Sequence, residues 1–453
     1  MTGLFDGVFS RGAAATDSAA WLRAMLDTEA ALVRALERAG LAPAGAGAAV
    51  TAAAAGTFDA GGLGSQAALS GNPVPALVAA LRKAVPAESA DTVHRGATSQ
   101  DIIDTAAMLL ARGALDAIAV DLAAAAEGCA ALAAAHRDTV MIGRTLLQQA
   151  VPVTFGLVAA GWLTGLDEAG DAVTRVRAQR LAVQFGGAAG TLASLGPEGP
   201  AVARLLAGEL DLAVPVLPWH TDRSRVIEAG TGCAAASVAL AKPARDVTLL
   251  AQAEVGEVRE GGDEGTGAGM RRGGSSAMPH KQNPVAAIAV LGCARRVPGL
   301  LATLVAAGEQ EHQRAAGAWH AEWETLADLL RLTGSAARWG ADLIGGLVVD
   351  PARMRANLDA TRGLPLAEHV SGLLAPALGP AAAHDLVARA SAHAVAAGIT
   401  LGEALLGLPG SRQQLDEAGV TPGRIDAALD PAGYLGAAGR FTDAALAAHA
   451  ERS

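Results

Sequence analysis

Cysteine is nearly absent: the 453 residues hold three, Cys129, Cys233 and Cys293, scattered and without metal-ligand spacing. That excludes a disulfide framework and fits a reduced, intracellular chain, so a cytoplasmic location is expected. Aromatic residues are only 3% against an apolar fraction of 51%, and alanine does much of the filling. Alanine is the best helix former and the least specific packer, which favours many close-packed helices over sheets. A basic excess is also missing. The net charge of −10 argues against a nucleic-acid partner, while a local pocket stays free to be positive. The first twelve residues, MTGLFDGVFSRG, lack a basic segment followed by an apolar run, so no signal peptide is expected. No metal triad, P-loop or dinucleotide fingerprint occurs, and neither metal nor cofactor is expected. GGAAG at 186–190 lacks the strand–helix context of a phosphate loop and reads as a turn.

Long hydrophobic runs are scarce as well. One charge-free stretch of membrane-spanning length, Leu146 to Leu166, carries Gln148, Gln149, Pro152 and Thr154 in its first half. It also lacks flanking Lys/Arg and aromatic belts, so it reads as a buried core helix and no membrane partner is expected. Continuous β-branched runs bounded by turns are missing, so strands should be few.

What is present is helical. Asp17 and Ser18 are placed to cap a helix with apolar positions Trp21, Leu22, Met25, Leu26, Leu32, Val33 and Leu36, ending at Gly40. Residues 61–75 (GGLGSQAALSGNPVP) read as loop. A long helix runs from Ile102 to about Ala135, and another starts near Pro152. Residues 261–274 are the richest glycine stretch and read as a mobile loop. Pro284 suits the first turn of a further helix with Asn283 as its cap. After Gly346 the helices shorten, broken at 363–365 and 408–410. The length calls for two or three domains, placed at 1–111, 112–345 and 346–453, in an all-α fold.

Three segments carry chemistry. GSSAMPHKQNP, 274–284, puts two hydroxyls after glycines and Lys281 and Asn283 just before a helix start. Free N–H groups, a lysine and an amide make an anion site, where a serine alkoxide would be stabilised. The plainer reading is a Gly/Ser linker with ordinary caps. GATSQDIIDT, 96–105, sets Thr98 and Ser99 at a helix start with Asp101 in the first turn. There they would hold a carboxylate, though alone the segment is a capped helix. GRTLLQQAVPVTFG, 143–156, brings Thr145 and Gln148, and alone is core helix with buried amides.

Together, in this order and at these separations, the three segments resemble the signature blocks of the fumarase/aspartase superfamily. The resemblance covers essentially the whole chain. It implies a small N-terminal domain, a long central helical bundle and a small C-terminal domain. It also implies a homotetramer in which each active site takes one block from each of three subunits. Ser275 would then be the catalytic acid/base. Thr98, Ser99, Thr145, Gln148, Lys281 and Asn283 would bind a small polycarboxylate substrate.

One departure separates branches of the superfamily. Members that expel an amine resemble Thr-His-x-Gln where this chain has Thr145-Leu146-Leu147-Gln148, and leucine cannot shuttle a proton. A carboxylate leaves as a stable anion and needs no protonation. HRGATSQDIIDTA, IGRTLLQQAVPVTFG, LPWHTDRSR, EHQRAAGAWHAEW and RMRANLDATRGLPLAE accordingly resemble the bacterial family that closes a carboxylated muconate to its lactone. Arg95 departs from it, standing where an aromatic is expected. His94, His220, Arg223 and Arg314 are second-rank candidates for neutralising a trianion, since singly each is more often structural. An adenylosuccinate- or argininosuccinate-type lyase and a non-catalytic structural relative are the competing readings.

Overall fold

The computed structural model describes residues 3–261, 272–275 and 277–452. Most of the glycine-rich 261–274 stretch, and Ser276 of the third block, lie outside the described residues. Helices dominate, and the strands among the described residues are four short ones, β1 (Val140–Thr145), β2 (Gln148–Thr154), β3 (Val258–Glu260) and β4 (Leu347–Val349). They form two antiparallel two-stranded sheets, β1–β2 and β3–β4. The all-α expectation holds.

The first long helix, Ser18–Arg38, forms as its sequence dictates. The Asp17 side chain accepts from the Ala20 N–H at 3.0 Å, a N-cap that satisfies an otherwise unpaired donor. Leu22, Met25, Leu26, Leu32, Val33 and Leu36 are buried on one face, with Trp21 half-buried at its edge. Residues 61–75 depart from the loop expectation: Ala60–Ser70 is a helix and Val74–Ala84 another. Burying Leu63 in the core that contains Leu22, Met25 and Leu77 outweighs the low helix propensity of the glycines.

The larger correction concerns 140–166. Instead of a buried helix starting near Pro152, the chain makes the β1–β2 hairpin and the helix begins at Phe155. Its period-two alternation is short, and Pro152 pairs opposite Ile142 in a two-stranded ribbon, where a missing N–H is tolerated. Leu146 and Leu147 join the strands with φ of 51° and 64°. Positive φ at both central residues is the geometry of a tight primed hairpin turn, normally signalled by Asn-Gly. Two leucines there hide the turn from any reading of sequence.

The chain divides into two compact units. The first comprises residues 1–123, 168–241 and 288–341, and contains the start of the Ser99–Ala135 helix. Its cores are built on the Ser18–Arg38 helix, one with Leu77, Leu81 and Ile102, the other with Phe185, Val202 and Leu206. The second comprises residues 124–167, 242–287 and 342–453. It contains the β1–β2 hairpin, the β3–β4 pair and a C-terminal core around Val370, Leu386, Leu401 and Ile425.

Candidate active-site blocks

In the first unit the 96–105 segment is organised by Asp101, which is fully buried in the first turn of its helix. Its carboxylate accepts four hydrogen bonds: from the N–H groups of Thr98 (3.0 Å), Gly186 (3.0 Å) and Gly187 (2.9 Å), and from Nε2 of buried His220 at 2.7 Å. Four donors fill the lone pairs of an ionised carboxylate. The Thr98 N–H that was expected to receive a substrate carboxylate is therefore already taken by the chain's own Asp101. The GGAAG turn, a short 3₁₀ element at Gly187–Ala189, supplies two of these donors.

Arg314 completes this block. Its guanidinium donates to the carbonyls of Gly187 (3.1 Å) and Ala188 (2.8 Å) and to the Thr98 hydroxyl at 3.2 Å. All three are neutral oxygens, and Arg314 pairs with no carboxylate among the described residues. Its charge is left uncompensated beside Thr98. Ser99 is half-buried next to it. Arg223 has the opposite environment: buried, it forks onto Asp104 (2.8 and 2.9 Å) and onto Glu322 at 2.6 Å. Burial alone would weaken its hold on the proton, but the two carboxylates raise it. Its charge is spent inside the fold, so Arg223 falls out of the candidate set. His94 and His220 are each held by a buried carboxylate, His94 through Nδ1 to Glu29 at 2.6 Å. Each keeps its second ring nitrogen free of hydrogen bonds to described residues. Among candidates on this unit, Thr98 meets His220 through Asp101 and receives Arg314 on its hydroxyl, with Ser99 beside it and His94 four residues before it in the chain.

The second unit holds the other two blocks. Thr145 and Gln148 face each other as the register pair flanking the Leu146–Leu147 turn, exposed at the hairpin tip. Register shifts between Ile142 and Arg144, a bulge at Gly143. A Cβ at Gly143 would lie 2.7 Å from the Val151 carbonyl, so only glycine fits, and the bulge re-aims everything beyond it. Leu146 is 96% exposed, a correction to the packed apolar side chain that a buried helix would give.

The 273–284 segment closes on itself. The Gly273 carbonyl accepts both the backbone N–H (2.8 Å) and the side-chain amide (3.0 Å) of Asn283. Gly273 sits at φ 82°, and a Cβ there would collide with the Asn283 carbonyl, so glycine is again required. Gly274 bridges Gln282 across the base of the loop. Within it the half-buried Ser275 hydroxyl accepts the Met278 N–H at 3.2 Å. That single donor is a start toward stabilising an alkoxide. Lys281 is exposed.

The helix that follows runs Val285–Ala294, and its capping differs from expectation. Asn283 is occupied with Gly273, and the Ala286 and Ala287 N–H groups donate to Glu260 at 3.1 and 2.9 Å. The helix N-terminus is therefore filled by a protein carboxylate and is not a vacant anion site. Lys281, the remaining Asn283 amide hydrogen and the Ser275 hydroxyl are, of the candidate residues, the groups this block offers. Sequence reasoning missed Asp101 as the organiser of its block, and it missed Glu257 and Glu260. Glutamates just before and at the end of a short strand carry no motif that marks them.

A family model described as lyase matches residues 13–299. A 3-carboxy-cis,cis-muconate cycloisomerase of Bradyrhizobium diazoefficiens is 47% identical, covering 96% of this chain and 94% of its own. A nitrosuccinate lyase of Streptomyces davaonensis is 45% identical over 96% of this chain and 91% of that protein. Among solved structures, the 3-carboxy-cis,cis-muconate lactonizing enzyme from Pseudomonas putida superposes with a TM-score of 0.89 at 42% identity, over 99% of both chains.

Proposed function

The chain belongs to the lyase family of the fumarase/aspartase superfamily, and from that premise we propose that it is a cycloisomerase converting 3-carboxy-cis,cis-muconate to its lactone. One observation carries the choice among the family's chemistries. At the hairpin tip between Thr145 and Gln148, where amine-expelling members resemble Thr-His-x-Gln, stand two leucines. A leaving group that departs from this site receives no proton there, so it must be a stable anion. A carboxylate, returning from the lactone in the reverse direction, meets that condition.

The forward reaction is an intramolecular addition. A substrate carboxylate oxygen bonds to the β-carbon of the conjugated double bond. The displaced electron pair moves through the α-carbon into a second carboxylate, forming an enediolate. Ser275 delivers a proton to the α-carbon and is reprotonated from solvent, so closing the ring takes up one proton. Lys281 and the free Asn283 amide hydrogen stabilise the enediolate oxygens, which carry more charge in the transition state than in the substrate. Arg314, with its uncompensated charge, and the Thr98 and Ser99 hydroxyls bind a carboxylate. Thr145 and Gln148 orient the chain, and His94 and His220 supply further donors.

A second reading is favoured by one relative: expulsion of another weakly basic anion, as from nitrosuccinate. Leu146 permits this equally. An adenylosuccinate-type lyase is disfavoured by the same residue. The homotetramer is proposed with the family. Val120, Val238, Ile288 and Val305, exposed in the single chain, support it as apolar surface that assembly would cover.

The deciding assay follows ultraviolet loss of the muconate diene with purified protein, with nitrosuccinate as the parallel substrate. Turnover of nitrosuccinate alone would transfer the protein to the second reading. In the same assay Ser275→Ala should lower kcat about a thousandfold, the scale of a lost proton donor. Activity within about tenfold of wild type would remove Ser275 from the role.

A further inference from the structure

β3 is only three residues long, yet both functional blocks of the second unit are tied to it. Glu257, immediately before the strand, is fully buried. It grips Arg144 through both oxygens, Oε1 to Nη2 at 2.7 Å and Oε2 to Nη1 at 2.8 Å. Asn357 donates to the same Oε1 at 2.8 Å. Arg144 directly precedes Thr145 and follows the Gly143 bulge, so this fork fixes the hairpin at the residue where it turns toward its tip. Glu260, the last residue of β3, reaches the other block. Its two oxygens accept the Ala286 and Ala287 N–H groups, pinning the helix that starts two residues after Asn283. The strand itself is held: β3 pairs with β4, the Glu257 carbonyl accepts the Asp350 N–H at 2.9 Å, and Gly261 donates to the Gly346 carbonyl at 2.7 Å.

Neither carboxylate is a plausible charge for the substrate to meet. Glu257 is sealed from solvent, and the substrate of the proposed reaction is itself a polyanion. Burying a carboxylate is costly unless it is paired and hydrogen-bonded, as Glu257 is by Arg144 and Asn357; the partly buried Glu260 has both oxygens taken by backbone N–H groups. We propose that Glu257 and Glu260 are a pair of positioning residues that hold the Thr145/Gln148 block and the Ser275/Lys281/Asn283 block in fixed register to one strand. Arg144, next to the site and cationic, is thereby a strut and does not bind substrate. The inference rests on the functional reading above for its kinetic consequences, but its geometry does not.

The roles of the two blocks separate the expected effects. Glu257→Gln breaks the charged fork and loosens the block that binds and orients, so KM should rise about tenfold with little change in kcat. Glu260→Ala frees the helix start beside the acid, so kcat should fall about a hundredfold. Glu260→Gln keeps one acceptor and should recover part of that loss. Arg144→Met should match Glu257→Gln, and the double variant should be no worse than either single one. Full wild-type kcat and KM per folded molecule in Glu257→Gln and Glu260→Ala would overturn the proposal. Should Glu257→Gln fail to fold, Arg144→Lys, which keeps the charge but loses the fork, carries the same test. Amide hydrogen exchange separates this proposal from the assigned reaction. Faster exchange at 143–149 in Glu257→Gln and at 286–287 in Glu260→Ala would uphold the clamps even if wild type ignored the muconate. Unchanged exchange at both would refute them.

Discussion

At the scale of single residues, what a charge is already bound to decides what it can do. Arg223 and Arg314 look alike in sequence, but one is neutralised by Asp104 and Glu322 while the other rests on neutral carbonyls beside Thr98. Only the second has a net attraction left to offer an anion. The hairpin tip shows the same economy in backbone terms. Leu147 at φ 64° occupies a conformation that costs a residue with a Cβ about 1 kcal/mol. Leu147→Gly should therefore stabilise the fold by about 0.5–1 kcal/mol, less than the full strain because glycine loses more entropy on folding. Urea unfolding of wild type and variant measures it. A loss of stability instead would mean that the side chain is packed against another subunit. The serine, lysine and asparagine of the third block stand out in the sequence because their residue types and spacing form a motif. Asp101, Glu257 and Glu260 do not, because such a carboxylate is defined by its donors, and most of those come from residues distant in the chain.

At the scale of elements, long amphipathic helices announced themselves and short ones did not. The Ser18–Arg38 helix has a cap and a regular buried face, whereas the hairpin at 140–154 has a turn without turn residues. The last helix, Ala438–Ala450, illustrates a further kind of information that sequence lacks. It is fastened by Arg137 forked onto Asp443, both contacts 2.7 Å, and by His449 between Asp167 (2.9 Å) and Glu127 (3.3 Å). Arg452 stands 3.8 Å from Asp167 on the same side. Burial alone pushes the His449 imidazole down, but the bonds and charges of Asp167 and Glu127 together raise it above its ordinary value. A raised folded pKa means that His449 contributes its full stabilisation below the unfolded value, about 6.5, and loses it as pH climbs through the folded value. His449→Gln should therefore lower the melting temperature by about 2 °C near pH 6 and leave it nearly unchanged in mildly alkaline buffer. A gap between the two proteins that stays constant with pH would show that the imidazole contributes packing and not charge.

At the scale of the molecule, the distribution of the blocks sets the decisive question. Thr98, Ser99, His94, His220 and Arg314 lie in one compact unit of the chain; Thr145, Gln148, Ser275, Lys281 and Asn283 lie in the other. The hairpin tip that carries Thr145 and Gln148 is exposed, with Leu146 wholly in solvent in a single subunit. An apolar tip held out from the fold at a cost in backbone strain makes sense where it reaches into a neighbour. If each site draws the Gln148 block and the Ser275 block from different subunits, a defect in one block and a defect in the other need not meet in the same site. Subunits carrying Gln148→Ala and subunits carrying Ser275→Ala, each inactive alone, should then regain activity when mixed. With equal amounts and random exchange, half the sites draw an intact Gln148 block and, independently, half draw an intact Ser275 block. About one quarter of wild-type activity should return. If both blocks came from one chain, every site would inherit one defect and the mixture would stay dead. Subunit exchange is verified separately by native mass spectrometry with one variant tagged, so that a silent mixture counts against shared sites and not against the mixing.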